Sequence, residues 1–217
     1  MKKESSLNIK LSFGEEVGNA ISHGVMFALL LLLLPVIALK GYLDEGIRLF
    51  IGNSIFIISL LLMFLSSTLY HSMQFDTKHK KIFRILDHIF IFVAIAGTYT
   101  PVALYAVDGM MTIVVLLVQW LCVIVGILYK AISKNTKTKV SLIIYLTMGW
   151  FSIILLPEII RNTSFIFLLF IVLGGIMYSI GAWFYAQKTR PYFHFIWHLF
   201  INMASIFHII AIVFFLV

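Results

Sequence analysis

Seven apolar stretches of about 18 to 25 residues recur along the chain, separated by short segments that carry nearly all of its charge. At 1.5 Å rise per residue, a helix of that length matches a hydrocarbon core of about 30 Å. In lipid every backbone amide must bond within its own segment, which leaves helices as the element for such runs. Composition agrees, with 62% hydrophobic and 12% charged residues and a mean hydropathy of +1.06. The expectation is an all-α polytopic membrane protein: one seven-helix transmembrane bundle over residues 1–217, with spans near 17–39, 49–70, 88–107, 109–129, 140–157, 162–186 and 194–217.

The charges set an orientation. Of the 16 Lys and Arg residues, 13 fall in the N-terminal tail and the segments after spans two, four and six; Lys40, Arg48 and Arg161 fall on the other side. By the positive-inside rule the N-terminus is expected in the cytoplasm and Val217 outside. The net charge of +7 therefore reads as a topology signal, and no nucleic-acid partner is expected. The single cysteine, Cys122, lies within a span and permits no intramolecular disulfide. Lys2 and Lys3 before an apolar run resemble a secretory leader. The run starts late and is too long, so it is read as a retained first span.

The polar residues that remain inside the spans carry the functional signal. His194 and His198, at the start of the last span, share one helix face and can both reach one metal ion. Asn202, Ser205 and His208 fall on or near the same side. With the topology above, His71 closes span two, Asp87 opens span three, and Glu16, Asn19 and His23 stand at the start of span one. Four spans thus bring their polar groups to one membrane level. Three neutral imidazoles with an open fourth position suit a catalytic Zn2+, which lowers the pKa of a bound water to about 7 and polarises a carbonyl. The candidate metal ligands are His71, His194 and His198. Asp87 is the candidate proton acceptor, and Ser67, one turn before His71, a supporting hydroxyl.

Each residue has a plainer reading. An intramembrane histidine can simply bond a neighbouring helix, and His23, His88 and His208 are open to that. Asp87 suits a helix N-cap, and Glu16 an interfacial acid in a first helical turn. His79, among lysines, reads as solvated.

At these residues the chain resembles the progestin and adipoQ receptor family, and within it the bacterial hemolysin III group. The matching pieces are Glu16-x2-Asn19-x3-His23, Ser67-x3-His71, Leu86-Asp87-His88 with Gly97-Thr98-Tyr99-Thr100-Pro101, and His194-x3-His198 followed ten residues on by His208. The resemblance implies a seven-helix bundle with zinc on His71, His194 and His198, and Asp87 reaching the metal through water. It also implies kinship with alkaline-ceramidase-like membrane hydrolases. Phe195 and Ile89 stand where the family often has polar residues, which bears on the tuning of the site and not on its ligands.

Three functions follow from this reading. The first is zinc-dependent hydrolysis of a lipid amide or ester, with Asp87 as general base, in membrane lipid homeostasis. The second is a non-enzymatic sensor of membrane state with structural zinc. The third is a pore-forming hemolysin, which the gathering of polar residues at one end disfavours, because a conducting path needs polar lining throughout. Membrane lipids are the expected partners, and a bacterial plasma membrane the expected location.

Overall fold

A computed structural model describes residues 10–132, 138–187 and 189–217. Lys2, Lys3, Lys134, Lys137 and Lys188 of the charge count lie outside the described residues. The helices are α1 (Phe13–Glu45), α2 (Ile47–Ser72), α3 (Lys78–Ala106), α4 (Met110–Ile132), α5 (Thr138–Trp150), α6 (Leu156–Asn162), α7 (Phe165–Ala186) and α8 (Phe193–Phe214), with a 3-10 turn at Phe151–Leu155 joining α5 to α6. There is no strand among the described residues. Counting Lys139–Asn162 as one unit, seven helical segments are long and apolar enough to cross a membrane.

The helices run past the apolar stretches that announce them. Hydropathy marks the hydrocarbon, whereas a helix ends where its backbone is capped. α1 extends through the expected loop at Lys40 and stops at Gly46, whose φ of +69° turns the chain directly into α2. Within that last turn Lys40 pairs with Asp44 at 2.5 Å.

α3 begins at Lys78, capped by the Thr77 hydroxyl accepting from the Lys80 amide. The expected basic loop over 74–84 is therefore mostly helix. Asp87 lies nine residues inside α3, so the N-cap reading of Asp87 is corrected. The turn expected at Glu158 and Arg161 is likewise helical, and these two residues pair with each other on α6.

α2 and α3 are the most enclosed helices, while α1, α4 and α7 turn most of their surface outward. Outward positions remain apolar, as at Leu29, Leu32, Val36, Val125 and Phe165. A helix hydrophobic all round is what a lipid-facing position demands. The core between them holds Phe56, Phe64, Phe92 and Phe167, each with no exposed surface.

Small residues set how closely α2 and α3 approach, as expected where lipid offers no hydrophobic drive for helix association. A Cβ on Gly52 would meet Pro101 Cα at 2.9 Å, and a Cβ on Gly97 would overlap the Ser59 side chain. Gly174 packs in the same way on His208, and Gly181 on Phe200 and Trp197, drawing α7 against α8. Because backbone stands opposite Gly52, Gly52→Val is expected to destabilise the bundle by about 1–3 kcal/mol, read by denaturation in detergent. Wild-type stability in that variant would contradict this packing.

At the end of the bundle away from residue 13, Asn162 donates to Ala106 O at 3.1 Å and Ser164 to Phe215 O at 3.2 Å. The opposite end gathers the start of α1, the end of α2, the start of α3, the end of α7 and the start of α8. It is the end where the site lies.

Candidate metal centre

The first turn of α1 organises this end. Ser12 and Glu15 form a capping box: Ser12 Oγ accepts from the Glu15 amide, and Glu15 Oε2 accepts from the Ser12 amide, each at 3.2 Å. The other oxygen of Glu15 accepts from the Tyr192 amide at 2.6 Å. Tyr192 has a φ of +62°, an unusual conformation for a tyrosine, and α8 starts at the next residue. α1 thereby fixes the position from which α8 departs, two residues before His194. Gly18 permits the approach, since a Cβ there would meet the Phe195 ring at 3.0 Å.

His71 sits in the last turn of α2 with its side chain fully enclosed. Its Nε2 is 3.3 Å from His194 Nε2, which is 3.2 Å from His198 Nε2. One ligand nitrogen from each of the three lies within 4.8 Å of the others. Two helices that touch only lightly along their lengths thus aim three imidazoles at one point.

That geometry tests the fit of a metal. Zinc–nitrogen bonds of about 2.0–2.1 Å at tetrahedral angles separate the nitrogens by about 3.3 Å, close to both distances seen here. Hydrogen bonding alone serves the cluster poorly. A neutral imidazole nitrogen either donates once or accepts once, yet His194 Nε2 faces two other nitrogens. A cation satisfies all three lone pairs, so the donor set fits zinc.

Nearby residues complete the setting. Asp87 is largely enclosed, with 16% of its side chain exposed. It lies in electrostatic reach of His71 and in hydrogen-bond reach of the buried Ser67 hydroxyl. Asn19 Nδ2 stands 3.4 Å from His71 Nδ1. His23 stacks on His198 with ring centroids 3.9 Å apart, and its two nitrogens are buried without partners. Orphaned buried polar atoms are uncommon and call for a ligand, ion or water. Here Asn19 Oδ1 and both His23 nitrogens are such atoms on residues that contact the cluster, and His198 Nδ1 is one within it.

Two histidines stand outside the cluster. His88 bonds back to Arg84 O at 2.7 Å and meets the Tyr185 hydroxyl at 3.0 Å, linking α3 to α7, and its Nδ1 lies 3.5 Å from Asp87 Oδ2. His208 lies ten residues beyond His198, about 15 Å along the helix. It packs on Gly174, with Nε2 donating to Ile171 O at 3.2 Å. The polar side of α8 is therefore split. Asn202 donates to Ser22 O on α1, whereas Ser205 meets the Tyr178 hydroxyl on α7.

An apolar cavity of about 130 Å³ lies among α3, α5, α7 and α8. Its wall includes Ile91, one turn beyond Asp87, and Trp197, the residue before His198. From there it continues past Met63, Tyr145 and Ile201 to His208.

Two participants were not visible in the sequence. Glu15 has the pattern of any surface acid. Lys80 reads as a loop cation, yet it is buried and donates to Glu16 Oε1 at 2.6 Å and to Met73 O at 3.1 Å. The sequence signal for Lys80 was its place three residues after Thr77, a capping residue that moves the start of α3 forward.

Comparison with known proteins agrees with the motifs. Residues 11–209 match the family described as Haemolysin-III related. The Hemolysin-3 homolog of Bacillus subtilis (strain 168) is 37% identical over 189 residues, 86% of this chain and 87% of that protein. The Hemolysin-3 of Bacillus cereus is 34% identical over 187 residues, 86% of this chain and 85% of that protein. The human Monocyte to macrophage differentiation factor is 30% identical over 155 residues, 69% of this chain and 64% of that protein. With the motifs in order on a seven-helix bundle, the chain belongs to the haemolysin-III related family, within the progestin and adipoQ receptors.

Proposed function

We propose that this protein is a zinc-dependent hydrolase of a lipid amide or ester, acting in membrane lipid homeostasis. The observation that carries the reading is the convergence of three imidazole nitrogens from α2 and α8 at zinc-like spacing, with a carboxylate beside them. His71, His194 and His198 would hold the ion. Zinc bound by three neutral imidazoles supplies a Lewis acid for a carbonyl and acidifies water.

The remaining work falls to the chain's own residues. Asp87 takes the proton from the attacking water as general base and returns it to the leaving amine or alcohol. The buried Ser67 hydroxyl, in hydrogen-bond reach of Asp87, donates to that carboxylate and holds it in place. The apolar cavity, whose wall includes Ile91 and Trp197, takes hydrocarbon, and the imidazole cluster takes the polar carbonyl. A membrane lipid is the substrate class with both parts.

On this reading the centre lies at the cytoplasmic leaflet of a bacterial plasma membrane with Val217 outside, which the bias of Lys and Arg to one side supports. Lysis, named for the two Bacillus relatives, is disfavoured for this chain. Glu16, His23, His71, Asp87, His194 and His198 gather at one end, and Leu29–Leu34 in the middle of α1 is purely aliphatic.

Purified zinc-loaded protein is expected to release fatty acid from at least one member of a panel of amide and ester lipids, and chelation is expected to stop the release. Loaded protein that is inert on the whole panel would overturn the hydrolase reading and leave zinc as a clamp between α2 and α8.

A further inference from the structure

Glu16 is the second acid of the α1 first turn, and its two oxygens face different helices. Oε2 lies 2.6 Å from His71 Nδ1 on α2, and Oε1 accepts from Lys80 Nζ on α3 at 2.6 Å. Lys80 is itself enclosed: it also donates to Met73 O, and its ammonium lies 4.9 Å from the centre of the Tyr70 ring. A carboxylate offers only acceptors, so Nδ1 must be the protonated nitrogen of His71. That leaves the Nε2 lone pair facing His194 and His198, the arrangement a metal requires.

We propose that Glu16 is the positioning residue of the centre, fixing both the tautomer and the ring angle of His71, and that Lys80 is the anchor that holds Glu16 in that pose. The proposal rests on the zinc reading of the three histidines. Carboxylate partners of this kind raise ligand basicity and orient the ring. Asn19 Nδ2, at 3.4 Å from the same Nδ1, is a donor facing a donor, so the shorter and charged Glu16 contact sets the ring. Glu15 and Glu16 divide the work. Glu15 fixes where α8 begins and Glu16 fixes how the α2 ligand points, so one turn of α1 sets both halves of the centre.

The test is zinc affinity of the full-length protein in detergent, measured by competition with a chromogenic chelator, alongside the melting temperature of the metal-free form. Glu16→Gln is expected to weaken zinc binding about 10–100-fold with the metal-free melting temperature kept. Lys80→Met, which leaves Glu16 present but unanchored, is expected to weaken binding in the same direction by less. Glu16→Asp, which retains the charge on a shorter arm, is expected to recover part of the loss.

Cobalt in place of zinc adds a spectroscopic readout. Its visible spectrum is expected to shift in Glu16→Gln, because the ring angle at His71 changes. Wild-type affinity in Glu16→Gln would overturn the proposal, and so would a fall in melting temperature with affinity unchanged. If Glu16→Gln fails to fold, Lys80→Met and Glu16→Asp are judged by the same two results. Failure of the underlying zinc reading has a different signature: wild-type protein and His71→Ala would bind zinc equally.

Discussion

Asp87→Asn is expected to reduce lipid hydrolysis by about 10²–10⁴-fold, the usual contribution of a positioned general base, while the protein keeps its zinc. The amide nearly matches the carboxylate in shape but cannot accept the proton. The position of Asp87 makes the prediction specific. It lies well inside α3 and caps nothing, because Thr77 already caps that helix. Its carboxylate lies 3.5 Å from His88 Nδ1, with the Ser67 hydroxyl in hydrogen-bond reach and His71 in electrostatic reach. Fatty-acid release and zinc content measured on one preparation decide the matter. Full activity in Asp87→Asn would remove Asp87 from the chemistry. Lost zinc would make it part of the metal's support instead.

His194→Ala is expected to weaken zinc binding by more than about 100-fold. Loss of a partner that merely orients a ligand costs 10–100-fold, and loss of the ligand itself exceeds that. His194 is the central member of the cluster, because its Nε2 lies within 3.3 Å of both other nitrogens. Removing it leaves two imidazoles, His71 and His198, with ring centroids 4.8 Å apart. Chelator competition checks the result, and a change of under about tenfold would contradict the shared centre. His208→Ala is the matched comparison on the same helix. His208 packs against Gly174 far from the cluster, so its removal is expected to leave zinc affinity at the wild-type level.

The bundle and its histidine cluster were legible because lipid leaves few choices. A segment of 20 apolar residues must be a helix, and a histidine within it must have a reason to be there. His71, His194 and His198 could therefore be brought to one level from span order alone. The ends of the helices were less legible. Hydropathy does not record that α1 runs on to Glu45 or that α3 starts at Lys78, because both extensions are polar.

Lys80 shows what this conceals. A buried lysine and a solvated one look alike at an interface, and the partner that tells them apart, Glu16, is 64 residues away in sequence. The stripe on α8 misled for a geometric reason. Ten residues at 100° each carry His208 about 80° around the helix from His198, and α7 approaches on that side through Gly174. A polar stripe that seemed to serve one site in fact serves two interfaces.

The most direct measurement is X-ray absorption at the zinc edge of the purified, full-length protein. The account predicts about one zinc per chain with three imidazole nitrogens at about 2.0–2.1 Å, and the loss of that imidazole shell in His194→Ala. A protein that retains no zinc, or zinc whose shell contains no imidazole, would contradict it.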